Sequence, residues 1–332
     1  MWRLEEKCDR VSALRLDIIY YDTPISVFYW MGVCYYGVLI ISLNTQVINP
    51  PNFQPPEEGH YIDYNGMRYF IGEVIGQGHY GKVYQCEDEW GNELVAKVLV
   101  PRNKTYEQVR EQWLEELNKL VLLRHPKITF VYGAFEYRNT FYLIIERCNF
   151  TLNDLLQFPN LKLELWLPHV AREVLQGIHF IHNAGYVHKD IHHGNVFLSL
   201  LQDKMNPRND PIFMFKIGDL GITRLEKDID VFNTILAEWM LPPEYLAPAK
   251  YGLIGKQVDI YHTGLLLLSL LLGEIPQFTC EEILDGKPRQ IAESLSSPYS
   301  TAIARSLRRR LEFRTQSALD FWREISEASK LQ

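Results

Sequence analysis

Between residues 67 and 100 apolar and polar positions alternate in three runs, MRYFIGEVIG, GKVYQCED and, after the turn-forming Gly91-Asn92, ELVAKVLV. A period of two is the mark of half-buried strands, and short connections between them predict the start of an antiparallel sheet. Over 106–124 the period changes: YEQVREQWLEELNKLVLLR repeats apolar positions at helical spacing, with Thr105 placed to cap the first turn and Pro126 placed to stop the helix. FVYGAFEYRNTFYLIIERC returns to strand character, and from Thr151 the pattern turns mostly helical, through LELWLPHVAREVLQGIHFIHNAG, VDIYHTGLLLLSLLLG and TQSALDFWREISEAS. The order predicts a small β-rich lobe with one helix, followed by a larger α-rich lobe. Gly264 to Gly273 is apolar but too short to cross a membrane.

The first 66 residues follow a different rule. Pro24 to Leu43, PISVFYWMGVCYYGVLIISL, is uncharged and just long enough at about 1.5 Å per residue to cross a ~30 Å hydrocarbon layer. Its N-terminal flank carries Arg3, Lys7, Arg10 and Arg15, and no Lys or Arg follows until Arg68. That bias would keep the N-terminus in the cytosol and place everything after it outside. Acidic residues from Glu5 to Asp22 also argue against a secretory signal. Besides membrane association through 24–43, the stretch reads as a buried helix or hairpin, a surface-attached segment, or sequence upstream of a start at Met31 or Met67. Residues 49–65, opening with Asn49-Pro50-Pro51-Asn52-Phe53-Gln54-Pro55-Pro56, read as a Pro-rich linker between an extension over 1–48 and a domain over 66–332.

Composition changes this picture little. A chain of 332 residues with 47% hydrophobic and 23% charged residues supports a large bilobal unit or two domains. A formal charge of -7 argues against a surface that coats nucleic acid. Five scattered cysteines without a Cys-x-x-Cys pair suggest neither a disulfide framework nor a zinc ribbon, and point to a reducing, cytoplasmic compartment.

The chemistry begins at Gly76-Gln77-Gly78-His79-Tyr80-Gly81-Lys82-Val83, a glycine-rich loop between two strands. Glycines let backbone N–H groups approach phosphate oxygens, yet a ligand-free hairpin has the same spelling. Sixteen positions after Gly81, Val95-Ala96-Lys97 places a lysine on an otherwise apolar strand. A buried ammonium needs a partner, and Glu116 on the helix ahead of His125-Pro126 is the natural counter-ion. Further on stand Leu143-Ile144-Ile145-Glu146-Arg147-Cys148, then HKDIHHGN at 188–195, Gly218-Asp219-Leu220-Gly221, Pro242-Pro243-Glu244, Asp259 and Arg314.

In that order the motifs resemble the eukaryotic-type protein kinase family, over roughly residues 68 to 327. The resemblance implies an α+β, bilobal fold with a small antiparallel N-lobe, about 66–148, and a mainly helical C-lobe, about 149–328. It implies transfer of the ATP γ-phosphate to a protein hydroxyl, with Mg²⁺ as the metal. Asp190 would be the catalytic base, assisted by Lys97 and Asn195, and Asn195 and Asp219 would hold the metal. Ile75, Gly76, Gly78, Gly81, Val83, Ala96, Lys97 and Glu116 would form the ATP site. There Ile145 would be the gatekeeper, and the backbones of Glu146 and Cys148 would bond adenine. Glu244, Asp259 and Arg314 would be structural.

The chain departs from the family at several points. His192 stands where serine/threonine kinases usually carry Lys, Ala237 where they usually carry Thr, and Trp239-Met240 faintly resembles a tyrosine-kinase spelling. The family expectation favours a serine/threonine acceptor. Lys189 keeps the positive charge of the usual Arg, which makes Thr223 and Thr234 candidate phosphosites. The His-x-Asp-x-His-x-Gly-Asn spelling is shared in part by small-molecule kinases resembling the aminoglycoside and choline enzymes. That is the alternative activity, with a catalytically dead scaffold as a third reading. His188, His192 and His193 without a fourth ligand do not make a structural zinc site.

Overall fold

The computed structural model describes the backbone of residues 41–42 and residues 53–77, 81–101, 103–202, 205, 211–229 and 240–330. Strand β1 (Ile41–Ser42) runs parallel to β6 (Val131–Tyr137), and β2 (His60–Tyr64) pairs antiparallel with β3 (Met67–Gln77). β4 (Gly81–Asp88), β5 (Glu93–Leu99), helix α1 (Tyr106–Leu122), β6 and β7 (Thr140–Glu146) complete the N-lobe. Among the described residues its sheet has seven strands in the order β1-β6-β7-β5-β4-β3-β2.

The three alternating runs become β3, β4 and β5. The alternation persists in burial, with Tyr69 and Ile71 inside and Arg68 outside. Thr105 caps α1 as a full capping box: its hydroxyl accepts the Gln108 N–H, and Gln108 Oε1 accepts the Thr105 N–H at 2.9 Å. Trp113, with no exposed surface, fastens the helix to the sheet by donating its indole N–H to Tyr142 O at 3.0 Å and packing on Phe141.

The linker expected over 49–65 is shorter than the composition suggests. Residues 60–64 form a strand paired with β3, whose pleat puts Ile62 into the core and leaves Tyr61 and Asp63 outside. Before it, the backbone of Gln54 exchanges hydrogen bonds with the Thr140 hydroxyl. The apolar stretch 24–43 lies outside the described residues except for Ile41 and Ser42. Among the described residues no helix is long and apolar enough to cross a membrane.

The C-lobe starts with β8 (Phe150–Thr151), α2 (Leu152–Gln157), α3 (Leu163–Asn183) and β9 (Tyr186–Val187). β10 (Val196–Gln202) and β11 (Pro211–Ile217) form a hairpin that joins β8 in a three-stranded sheet, and β12 (Arg224–Leu225) pairs with β9. Then come α4 (Pro243–Leu246), α5 (Pro248–Tyr251), α6 (Gln257–Leu272), α7 (Cys280–Asp285), α8 (Lys287–Ser294), α9 (Ser300–Ser306) and α10 (Ala318–Ser329). The β10–β11 pair interrupts the expected, mostly helical lobe; β10 follows the segment 188–195 and β11 leads to Asp219. Helix α6 is buried on nearly every side because it is the axis of the lobe, with Leu265, Leu266, Leu267 and Leu268 fully buried beside α3.

Candidate active site

Lys97 projects from β5 and its ammonium is shared. It stands 2.6 Å from Glu116 Oε1 on α1 and 2.9 Å from Asp219 Oδ1 on the loop after β11. Burial alone would drive this amine toward neutrality, but the Asp219 and Glu116 carboxylates more than reverse that and raise its pKa. The same charge works on the partners. Lys97 chiefly brings the Asp219 carboxyl down to about 2, with help from the Gly221 N–H. Burial holds Glu116 above the ordinary carboxylate range. Glu116 Oε2 has no hydrogen-bond partner among the described residues.

The segment 188–195 is held from below by Asp259 in the first turn of α6. Its two oxygens accept the backbone N–H groups of Lys189 (2.8 Å) and His188 (2.9 Å), and Oδ2 also meets His182 Nε2 at 2.8 Å. Lys189 has φ +70°, a left-handed conformation that a non-glycine residue keeps only where its surroundings over-determine it. On the far side His188 Nε2 bonds Gly218 O at 3.1 Å, which ties the loop to the residue before Asp219. Asn195 Nδ2 donates to Asp190 O at 3.0 Å and closes the turn.

The Asp190 carboxylate comes out of this frame largely buried. Its Oδ1 has no hydrogen-bond donor among the described residues, and His192 Nε2 stands 3.4 Å away, at the long limit of hydrogen bonding. The Gly194 N–H donates to His192 Nδ1 at 3.1 Å, so the neutral imidazole carries its proton on Nε2, facing Asp190. The three histidines of the segment serve three different partners: His188 the Gly218 carbonyl, His192 the Gly194 N–H, and His193 the Ser269 hydroxyl at 2.5 Å.

The glycine-rich segment joins β3 and β4. Gly76 pairs with Val83, and Ile75 is half exposed beside them. Gly78 lies outside the described residues. Gly81 has a packing reason of its own: a Cβ there would come within 2.3 Å of Val98 O on the adjacent strand. Ala96 is fully buried, one residue from Lys97. At the other end of β7 the Glu146 N–H is committed to Phe130 O at 2.8 Å, which leaves that N–H no part in binding a nucleotide. The Glu146 side chain pairs with Lys216, whose ammonium also lies over the Phe130 ring. Cys148 is half-buried, and burial pushes its thiol up to about 12.

Structural support comes from Arg314, whose guanidinium makes two 2.8 Å bonds to the Glu244 carboxylate with neither side chain exposed. Thr223 does not fit an accessible phosphosite. It is fully buried, with its hydroxyl 3.4 Å from His188 O. Thr234, Ala237 and Trp239 lie outside the described residues.

Sequence reasoning overlooked Lys216 and Lys119. Lys216 gives the same signal that singled out Lys97, a charge in an apolar strand, IFMFKI. Lys119 could have been found three residues after Glu116 on the buried face of α1. Lys189 and Lys119 are both pushed down to about 8, first by burial and then by Arg224.

Comparison with known proteins agrees with this geometry. The family model described as the protein kinase domain matches residues 69–329. Among curated relatives, a cell cycle serine/threonine-protein kinase of Saccharomyces cerevisiae is 27% identical over 65% of this chain and 29% of its own length. The serine/threonine-protein kinase PLK2 of Mus musculus is 27% identical over 64% of this chain and 30% of its own. Cyclin-dependent kinase-like 4 of Mus musculus is 28% identical, over 60% and 55% respectively. The chain thus spans between about a third and about half of the length of these relatives.

Proposed function

Because the chain belongs to the protein kinase family, we propose that it transfers the γ-phosphate of Mg²⁺-bound ATP to serine or threonine hydroxyls of a protein substrate. The observation that carries this is the convergence of Lys97, Glu116 and Asp219 on one charge-sharing centre, together with an Asp190 whose main-chain carbonyl is held by the Asn195 amide. Phosphoryl transfer needs positioning and charge neutralisation more than covalent chemistry, and these residues provide both. The serine/threonine acceptor rests on what the relatives are called, not on His192.

Each side chain has a task. Lys97, oriented by Glu116, binds phosphate oxygens under the Gly76–Gly81 hairpin, while Ile75, Val83 and Ala96 enclose the base against Glu146 and Cys148. Asp190 accepts the proton of the incoming hydroxyl on its carboxylate, beside which His192 Nε2 stands 3.4 Å from Oδ1. The Asp219 carboxylate, ionised throughout the physiological range, and the Asn195 amide oxygen are hard donors of the kind Mg²⁺ takes together with phosphates and water. Bound there, the ion would neutralise charge on the transferring group. Incubation with labelled ATP, Mg²⁺ and a generic protein substrate, followed by phosphoamino-acid analysis, tests the reading. Label on phosphoserine or phosphothreonine is expected, lost in Asp190→Asn and Lys97→Met while both variants keep the wild-type circular dichroism. Label only on an aminoglycoside or choline, or turnover in either variant, contradicts it.

A further inference from the structure

Lys119 is a buried cation that the steps above do not employ. It is 6% exposed and leaves α1 on the same face as Glu116, three residues earlier. Its ammonium donates to the carbonyl oxygens of Leu220 (3.4 Å) and Gly221 (3.2 Å), the two residues directly after Asp219. Leu220 packs into the cluster made by Trp113, Leu117 and Leu120 of the same helix. An apolar side chain in that setting would avoid the desolvation that lowers this amine. A lysine that does not snorkel to water, but ends on two main-chain carbonyls, calls for a task at those carbonyls.

The task is visible one residue away. Asp219 has φ +56°, a left-handed conformation in a non-glycine residue, and such a conformation persists only when the contacts around it over-determine it. The Gly221 N–H donating to Asp219 Oδ1 at 3.2 Å is one such contact. The carbonyls on either side of that N–H are the ones Lys119 holds.

We propose that Lys119 is a positioning residue for the metal-binding carboxylate: it clamps the backbone of Leu220 and Gly221, fixes the conformation in which Asp219 is presented, and makes α1 and this loop move as one body. Glu116 then grips the site through Lys97, and Lys119 grips it through the main chain, from the same helical face. The inference rests on Asp219 being the Mg²⁺ ligand.

The test compares the full chain with Lys119→Met and Lys119→Arg, measuring affinity for ATP with and without Mg²⁺ and hydrogen exchange at the Gly221 amide. Lys119→Met is expected to lose about tenfold or more of the affinity gained on adding Mg²⁺, the effect typical of groups that orient a metal ligand, with Mg²⁺-free affinity within about twofold of wild type. The Gly221 amide should exchange faster, and Lys119→Arg should restore both properties. Equal weakening with and without Mg²⁺, or an unchanged Gly221 exchange rate, overturns the proposal. A wild-type chain that binds no nucleotide in either condition overturns the phosphotransferase reading; the Gly221 exchange rates of wild type and Lys119→Met still decide whether the clamp exists.

Discussion

Asp259 Oδ1 accepts the backbone N–H of Lys189 at 2.8 Å, and Lys189 is the residue whose φ of +70° aims Asp190 at the site. The second oxygen holds the neighbouring N–H of His188 and the His182 ring. An amide has one oxygen where this carboxylate uses two. Asp259→Asn should therefore release at least one of those N–H groups, at a stability cost on the order of 1–3 kcal/mol, and lower kcat about tenfold or more. Urea unfolding and steady-state kinetics check both halves, and a variant with wild-type kcat would mean that Lys189 keeps its conformation unaided.

Arg314 and Glu244 form a bidentate pair with no exposed surface, and the guanidinium also donates to Gln257 O and Arg308 O. Arg314→Met leaves a buried carboxylate without a counter-charge, which costs about 3–5 kcal/mol. Lysine cannot reproduce the planar fork, so Arg314→Lys should recover only part of that. The denaturation midpoints of the two variants should order as wild type, Lys, Met.

Burial holds the His193 imidazole down to about 4 from its ordinary value near 6.5. For a histidine lowered in the folded state, the unfolded chain takes up the proton first as pH falls. The contribution of this group is thus full above pH 6.5 and is lost between 6.5 and about 4, an amount on the order of 3 kcal/mol. Burial lowers His125, His192 and His262 as well, so all four act in the same sense. Melting temperatures should fall on going from pH 7 to 5, and less steeply in His193→Gln; a flat profile would contradict the assignment.

Tyr64 stacks on Phe135 with ring centroids 4.6 Å apart, Phe53 packs on the sheet core, and Gln54 is bonded to Thr140. A protein starting at Met67 loses all three contacts along with β2. It should unfold at lower denaturant by an amount on the order of 3 kcal/mol or more, since the lost aromatic burial and hydrogen bonds add up. An unchanged midpoint would mean that residues 53–66 are only a tether.

Much of this was legible in the sequence because local period and local chemistry agreed. The capping box at Thr105, the alternation of β3 to β5 and the helical spacing of α3, α6 and α10 all act within a few residues of chain. The site residues were legible by their order, and the fold brings Lys97, Glu116 and Asp219 together although Asp219 is 122 positions from Lys97. What sequence did not reveal depends on contacts between distant segments. Nothing around Thr223 announces that its hydroxyl will be sealed under His188, and nothing in the proline-rich composition of 49–65 announces that Ile62 will find a core. Lys119 looks like an ordinary helix-surface lysine until the loop after β11 is folded over it.

The two outermost strands of the N-lobe sheet, β1 and β2, both come from the segment that precedes the glycine-rich loop. Open sheet edges are templates on which foreign strands assemble, and this chain covers part of one edge and much of the other with its own backbone. A partner strand that adds to this side of the lobe therefore meets β2 rather than β3, and loss of the covering segment would bare the longer edge of β3 to edge-to-edge association.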